Sequence, residues 1–285
     1  MQNVYNINYN IKNDKFKEFM SVLNGEKCQN NVDDNFINYI YEVIRLKKNG
    51  LLFFEKHIDR LNNTLNAKGY DFRVSYDEIY NYILELIKIN GFYETNIKVV
   101  VTFEKNVPMI LVKYIQSSYP KGNTKNMGVI LKTANFQRVN PSSKVFTNDM
   151  KILREKLGND DVFEYILINS ENKVLECTKS NIFFYKDNFV YTAEDDKVLS
   201  GVTRSVVLDI VKSKYNLIYK SIFFDDIFTM DGAFITGTSL GVLPVSKVNS
   251  TVYDVDKIKF ALDLSNAYED KVNDYLLNTV FTGKL

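Results

Sequence analysis

The sequence predicts a two-domain fold of mixed α+β / α/β character, on three observations. Residues 39–115 read as a strand hairpin, two amphipathic helices and two further strands. Residues 117–126 are polar and carry Pro120 and Gly122, the composition of a linker. Beyond them short strands and helices alternate. The expected division is a small N-terminal α+β domain over 1–116, an interdomain linker over 117–128 and a larger C-terminal domain over 129–285.

Residues 39–46 alternate and are rich in β-formers, which predicts a strand, with 51–54 as its hairpin partner across Lys48, Asn49 and Gly50. A helix through His57, Ile58, Leu61 and Leu65 ends at Gly69. Ser75, with Glu78 three residues on, is a capping box for a second helix. That helix carries Ile79, Ile83, Leu86 and Ile87 on one face and stops at Gly91. Strands follow at about 96–103 and 108–115. Past the linker, strands are expected from Val129, over 164–169, 174–176, 182–185 and 189–192, and at 233–236. Helices are expected near 146–157, over about 203–215 and from about Asp256.

The chain has 285 residues, 45% hydrophobic and 25% charged, enough for two domains with real cores. A net charge of +1 gives no reason to expect nucleic acid or an acidic membrane surface as partner. No apolar run approaches the roughly 18 residues of a membrane span, and the N-terminus lacks the pattern of a signal peptide. Cys28 and Cys177 are therefore expected as free thiols in a reducing cytoplasm. His57 is the only histidine, which argues against Ser-His and Cys-His hydrolases and against a His-based metal site; no metal is expected.

The chemistry concentrates in Glu176–Phe183 and Leu199–Arg204. Glu176 ends an apolar strand and heads a small-polar turn. About 25 residues on, Gly201 opens an amphipathic helix whose inward face is Val206, Val207, Ile210 and Val211. Unpaired N–H groups at a helix start bind anions. A carboxylate and an anion cradle at that separation suit a cofactor with a basic ring nitrogen and a phosphate, such as pyridoxal 5'-phosphate. Each part has a plainer reading alone: a solvated strand-end glutamate, an ordinary capped helix.

Together the two segments resemble the E-x-x-x-S-N-I/L-F and L-x-G-I/V-T-R patterns of the fold-type-IV (class IV) pyridoxal-phosphate aminotransferases. That family includes branched-chain and D-amino-acid aminotransferases and aminodeoxychorismate lyase. The resemblance implies a D-amino-acid aminotransferase-like fold. It implies that Glu176 keeps the ring nitrogen protonated, that Leu199 packs on the ring, and that the Val202 and Thr203 amides and the Thr203 hydroxyl hold the phosphate. Arg204 matches the pattern's arginine without a catalytic role. His57–Leu61 resembles the family's E-H-I-D-R-L helix, which makes Arg60 a further phosphate ligand and leaves His57 structural. Gly237-Thr238-Ser239 resembles the second phosphate loop, with Thr238 on the phosphate and Ser239 nearer the substrate carboxylate.

The resemblance also implies a Schiff-base lysine, placed by its spacing from the glutamate. Lys144 lies 32 residues before Glu176, as the family's lysine does, and follows Pro141 between a strand and a helix. Lys151, 25 residues before, is the weaker alternative. Lys144 would also shuttle the proton of the substrate Cα. Tyr41, in Tyr-Glu-Val, matches a carboxylate-contacting tyrosine of the D-amino-acid enzymes.

Three positions depart from the family. Asn35-Phe36-Ile37-Asn38 replaces a Gly-Asp-Gly turn, Phe103-Glu104-Lys105 replaces an arginine and histidine that grip the substrate carboxylate, and Asp149 replaces a tyrosine. The resemblance implies an aminotransferase acting on a small-molecule amino acid and a 2-keto acid, as a homodimer. The alternatives are a lyase that eliminates pyruvate and a non-catalytic relative of the same fold.

Overall fold

A computed structural model describes residues 20–28, 38–116, 124–157 and 162–281. The chain has a two-domain α+β fold made of two compact units. The first takes the described residues of Met1–Ser118 together with Lys144–Asn148 and Tyr275–Leu285; the second takes those of Tyr119–Ser143 and Asp149–Asp274. Packing thus departs from a contiguous split in two places, because Lys144–Asn148 and the end of the last helix pack with the first unit. Residues 117–123 of the expected linker lie outside the described residues, as do Asn35, Phe36 and Ile37.

Among its described residues the first unit has a six-stranded sheet and two helices of its own. Its strands are β1 (Ser21–Leu23), β2 (Glu26–Cys28), β3 (Ile40–Lys47), β4 (Gly50–Leu51), β5 (Asn96–Glu104) and β6 (Val107–Ile115), in the order β2-β1-β6-β5-β3-β4. The helices are α1 (Phe54–Ala67) and α2 (Tyr76–Asn90). Period-2 alternation buries Ile40, Glu42, Ile44 and Leu46 of β3 on one face. That face meets Phe54, Ile58, Leu61 and Leu65 of α1 and Ile79, Ile83 and Leu86 of α2 in one core. The opposite face carries Tyr39 and Tyr41, packed with Val100, Leu111 and Phe146.

Two local readings are corrected. The partner of β3 is only two residues long, because Phe53 turns at a left-handed φ of 49° and Phe54 already belongs to α1. Leu52, Phe53 and Phe54 are buried by that turn, so their apolarity serves the core and not a strand. At α2 only half of the capping box forms: Ser75 Oγ accepts from Glu78 N–H at 3.0 Å, while Glu78 Oε1 accepts from the Tyr82 hydroxyl at 3.2 Å. Gly91 ends α2 at φ 75°.

Among the described residues the second unit holds the helices α3 (Thr124–Met127), α4 (Asn148–Leu157, all but its first residue), α5 (Val202–Lys214) and α6 (Val255–Asn278, up to Asp274). Its strands are β7 (Val129–Asn135), β8 (Glu164–Ile168), β9 (Val174–Cys177), β10 (Asn181–Lys186), β11 (Phe189–Thr192), β12 (Asn216–Tyr219), β13 (Gly232–Gly237), β14 (Gly241–Val248) and β15 (Thr251–Val252). They form one sheet in the order β12-β11-β10-β13-β14-β7-β8-β9, with β15 on β14. β10 lies centrally, antiparallel to β11 and β13, so the turn before it is fixed at Asn181↔Thr236. No helix among the described residues is long and apolar enough to cross a membrane.

Candidate active site

In the first unit His57, Arg60 and Lys144 gather around Glu42. Strand parity sends Glu42 to the helix face, where its side chain is fully buried. His57 and Arg60 lie three residues apart on α1, so both project toward it. His57 Nδ1 donates to Glu42 Oε2 at 2.8 Å. Arg60 forks onto the carboxylate, Nε to Oε1 and Nη2 to Oε2, both at 2.7 Å. Burial alone would raise the Glu42 carboxyl. The Arg60 and Lys144 cations and the hydrogen bonds from His57 and Arg60 overcome it and hold the carboxyl well below the usual range. Burial likewise depresses His57, only partly offset by Glu42, so the ring is neutral and its Nδ1 carries the shared hydrogen.

Lys144 enters the same unit on a short edge segment. Its N–H donates to Thr64 Oγ1 of α1 at 3.4 Å, and its carbonyl accepts from Tyr41 N–H at 3.2 Å. Val145 bridges to Ile40, and Phe146 N–H donates to the Tyr39 carbonyl. The lysine backbone is thus held from two sides. Its Nζ lies 5.3 Å from the Tyr41 ring centroid. Lys98, on the Tyr41 face of β5, donates to the Tyr39 hydroxyl at 2.7 Å and lies 5.8 Å from the Tyr41 ring centroid. Sequence reasoning did not single out Glu42 or Lys98.

These shifts fix a pH dependence. Unfolded, His57 and Glu42 titrate near their ordinary values of 6.5 and 4.5, and folding depresses both. The unfolded chain therefore binds more protons, so acid favours it. The stabilisation is complete above about pH 6.5, erodes below it through His57, and erodes faster below about pH 4.5 through Glu42. Melting temperature is expected to follow that two-stage decline. In a Glu42→Gln variant the lower stage is expected to shrink, with Glu194 and Asp231, whose carboxyls are also held low, supplying what remains.

In the second unit Glu176, at the end of β9, is buried with both carboxylate oxygens engaged. Oε1 accepts from Arg138 Nη1 at 2.9 Å; Oε2 accepts from Leu199 N–H at 3.1 Å and from Asn181 Nδ2 at 3.3 Å. Asn181 Nδ2 also donates to the Leu199 carbonyl at 2.9 Å, so one amide ties the carboxylate to the loop before α5. The turn between β9 and β10 is pinned from beneath by buried Glu164, which accepts from Ser180 Oγ at 2.8 Å and Lys179 N–H at 3.2 Å. Cys177 sits beside both carboxylates. Burial, then those charges, push its thiol well up, and it is a neutral free thiol.

α5 begins after Gly201, and no side chain caps it. Val202 and Thr203 are buried at its first turn. Arg204 turns away from that start: it pairs with Asp195, and its Nη2 donates to the Ala193 carbonyl at 2.8 Å. Thr238 and Ser239 are half-buried in the turn from β13 to β14, which the Leu240 N–H bond to the Gly237 carbonyl closes at 3.1 Å. The second unit thus brings Glu176, Leu199, Val202 and Thr203 onto consecutive pieces of chain joined by Asn181. The first brings Tyr41, Arg60 and Lys144 together. Lys151 is exposed on α4. Arg138 and Asn181 were not singled out from the sequence as side chains with a role.

Residues 39–248 match the family model described as amino-transferase class IV. The chain belongs to that family. Among class IV relatives, the branched-chain-amino-acid aminotransferase-like protein 2 of Arabidopsis thaliana is 26% identical over 253 residues. That match covers 81% of this chain but 44% of the relative, so the chain spans less than half of that protein's length. The D-alanine aminotransferase of Bacillus licheniformis is 28% identical over 247 residues, covering 78% of this chain and 84% of that one. The crystal structure of the branched-chain aminotransferase from the thermophilic archaeon Thermoproteus uzoniensis with norvaline shares the fold. Its TM-score is 0.73 at 21% identity, over 90% of this chain and 98% of that one.

Proposed function

We propose that the protein is a pyridoxal 5'-phosphate-dependent aminotransferase that moves an amino group between an amino acid and a 2-keto acid. The observation that carries this reading is the second unit's pairing of a buried, triply held carboxylate with a helix start that no side chain caps. The donor set fits the cofactor. Amides of Val202 and Thr203 at an uncapped helix start suit a phosphate, and the anionic Glu176 suits a protonated ring nitrogen. When bound, the cofactor supplies an electron sink for the pair of electrons left at the substrate Cα.

The chain's own residues do the rest. Lys144 Nζ would hold the cofactor covalently and, as a free amine, would take the proton from the substrate Cα. Glu176 keeps a proton on the ring nitrogen. Val202, Thr203 and Thr238 hold the phosphate, with Arg60, whose fork Glu42 keeps in one orientation. Leu199 packs on the ring. Tyr41 and Ser239 contact the substrate carboxylate, and Lys98, beside Tyr41, adds a positive charge on that face. The same reading makes the protein a cytoplasmic homodimer.

The test is borohydride reduction of the protein loaded with pyridoxal 5'-phosphate, followed by peptide mass mapping and assay. The expected result is a cofactor adduct on Lys144, amino transfer that requires a keto acid, and loss of both adduct and activity in Lys144→Ala. An adduct on Lys151 would overturn the lysine assignment. Pyruvate release from aminodeoxychorismate without an acceptor would make the enzyme a lyase. Absence of any adduct would leave a non-catalytic relative.

A further inference from the structure

We infer that Arg138 is a positioning residue that sets the orientation of Glu176 and couples it to the turn immediately preceding Lys144. The inference rests on the proposed function and extends it to a residue outside the family-pattern positions named above.

Arg138 lies in the irregular stretch after β7, half-buried, with its side chain 15% exposed. Its guanidinium makes two bonds in different directions. Nη1 donates to Glu176 Oε1 at 2.9 Å, and Nη2 donates to the Ser143 carbonyl at 3.2 Å. Ser143 is itself buried and closes a turn, its N–H donating to the Asn140 carbonyl at 3.0 Å, with Asn140 at a left-handed φ of 52°. The next residue in the chain is Lys144. One rigid planar group therefore ties the carboxylate to the turn closed by Ser143, within the second unit.

Asn181 and Leu199 both act on Oε2. Losing the Arg138 donor on Oε1 would loosen the carboxylate about its last side-chain bond, and a hydrogen bond to a ring nitrogen depends steeply on angle. Arg138 is also a cation paired with this buried carboxylate. A lysine would keep the charge but is a point donor on a flexible stem, so it would not hold both acceptors in a fixed fork.

The experiment measures pyridoxal 5'-phosphate affinity in the wild type, in Arg138→Lys and in Arg138→Gln, each with Glu176 and with Glu176→Gln. It is paired with thermal unfolding of the cofactor-free proteins and with the nitrogen-15 resonance of the bound cofactor's ring nitrogen. With Glu176 present, Arg138→Lys is expected to weaken affinity about tenfold, the loss of roughly one charge-assisted hydrogen bond, and to move the ring-nitrogen resonance. Its melting temperature is expected to stay near that of the wild type. In the Glu176→Gln background the further loss is expected to shrink toward none, because the two residues act as a unit.

An equal loss in both backgrounds, or an unmoved ring-nitrogen resonance, would show that Arg138 does not act through Glu176 and overturn the inference while the enzyme assignment stands. Failure of both Arg138 variants to fold would make the residue a structural tie and overturn it too. A wild type that takes up no cofactor would overturn the inference together with the function it rests on.

Discussion

Glu42→Ala is expected to lower folding stability by about 3–5 kcal/mol, the range for deleting one partner of a buried ion pair. The size follows from what is left behind. Arg60 is 8% exposed and spends two donors on Glu42, and His57 spends its Nδ1–H there. With the carboxylate gone, a guanidinium is buried without its counter-charge and the neutral imidazole loses its acceptor. Glu42→Gln should cost less, about 1–3 kcal/mol, since the amide oxygen still accepts a hydrogen bond while the charge is lost. Glu85→Ala is the control. Its salt bridge to Lys88 lies on a surface where the lysine side chain is 77% exposed, so the expected change is under about 1 kcal/mol. Chemical denaturation of the three variants checks the order. An Ala variant as stable as the Glu85 control would mean that Arg60 has an alternative partner, and Glu42 would no longer account for the fixed fork.

Much of this was written in the sequence. The parity that puts Ile40, Ile44 and Leu46 in the core puts Glu42 there as well, and a buried carboxylate demands a cation. The answering signal was also present, because His57 and Arg60 share the α1 face that buries Ile58 and Leu61. Read as a strand followed by a helix, each stretch was legible; the ion pair joining them needs the sheet's layering. Arg138 was less accessible, since an arginine in a polar turn has the composition of solvent-facing chain, and its acceptor lies 38 residues on. β1 and β2 escaped notice for a different reason. Three-residue strands around Asn24 and Gly25, both at positive φ, are too short for an alternating pattern to register. The apparent strand at 51–54 misled because an apolar run looks the same whether a strand or a helix start buries it.

Gly201→Ala is expected to weaken cofactor binding at least about tenfold and to cost about 1–3 kcal/mol of stability. The glycine's backbone is ordinary, with φ −63° and ψ 135°, so the requirement is space and not conformation. A Cβ there would lie 2.2 Å from Asn181 Oδ1 and 3.2 Å from the Arg204 Cβ. Asn181 cannot simply retreat: it is buried, it is paired with Thr236 across the sheet, and its amide holds both Leu199 and Glu176. Either the carboxylate loses a donor or the start of α5 moves, and the proposed phosphate cradle is damaged in both cases. Gly237→Ala separates space from sequence context. Its Cβ would meet Leu240 at 3.6 Å and Ser180 Oγ at 3.7 Å, ordinary contacts, so stability should change by about 0.5 kcal/mol or less. The mechanism makes one further demand on the pair. Shortening Asn181 to Ser in the Gly201→Ala background should restore stability by relieving the clash, yet leave cofactor affinity low, because the shorter side chain no longer spans Glu176 and Leu199. Recovery of both together would mean that Asn181 only fills space, and the link from the acid to the helix start would have to run through the Leu199 amide alone.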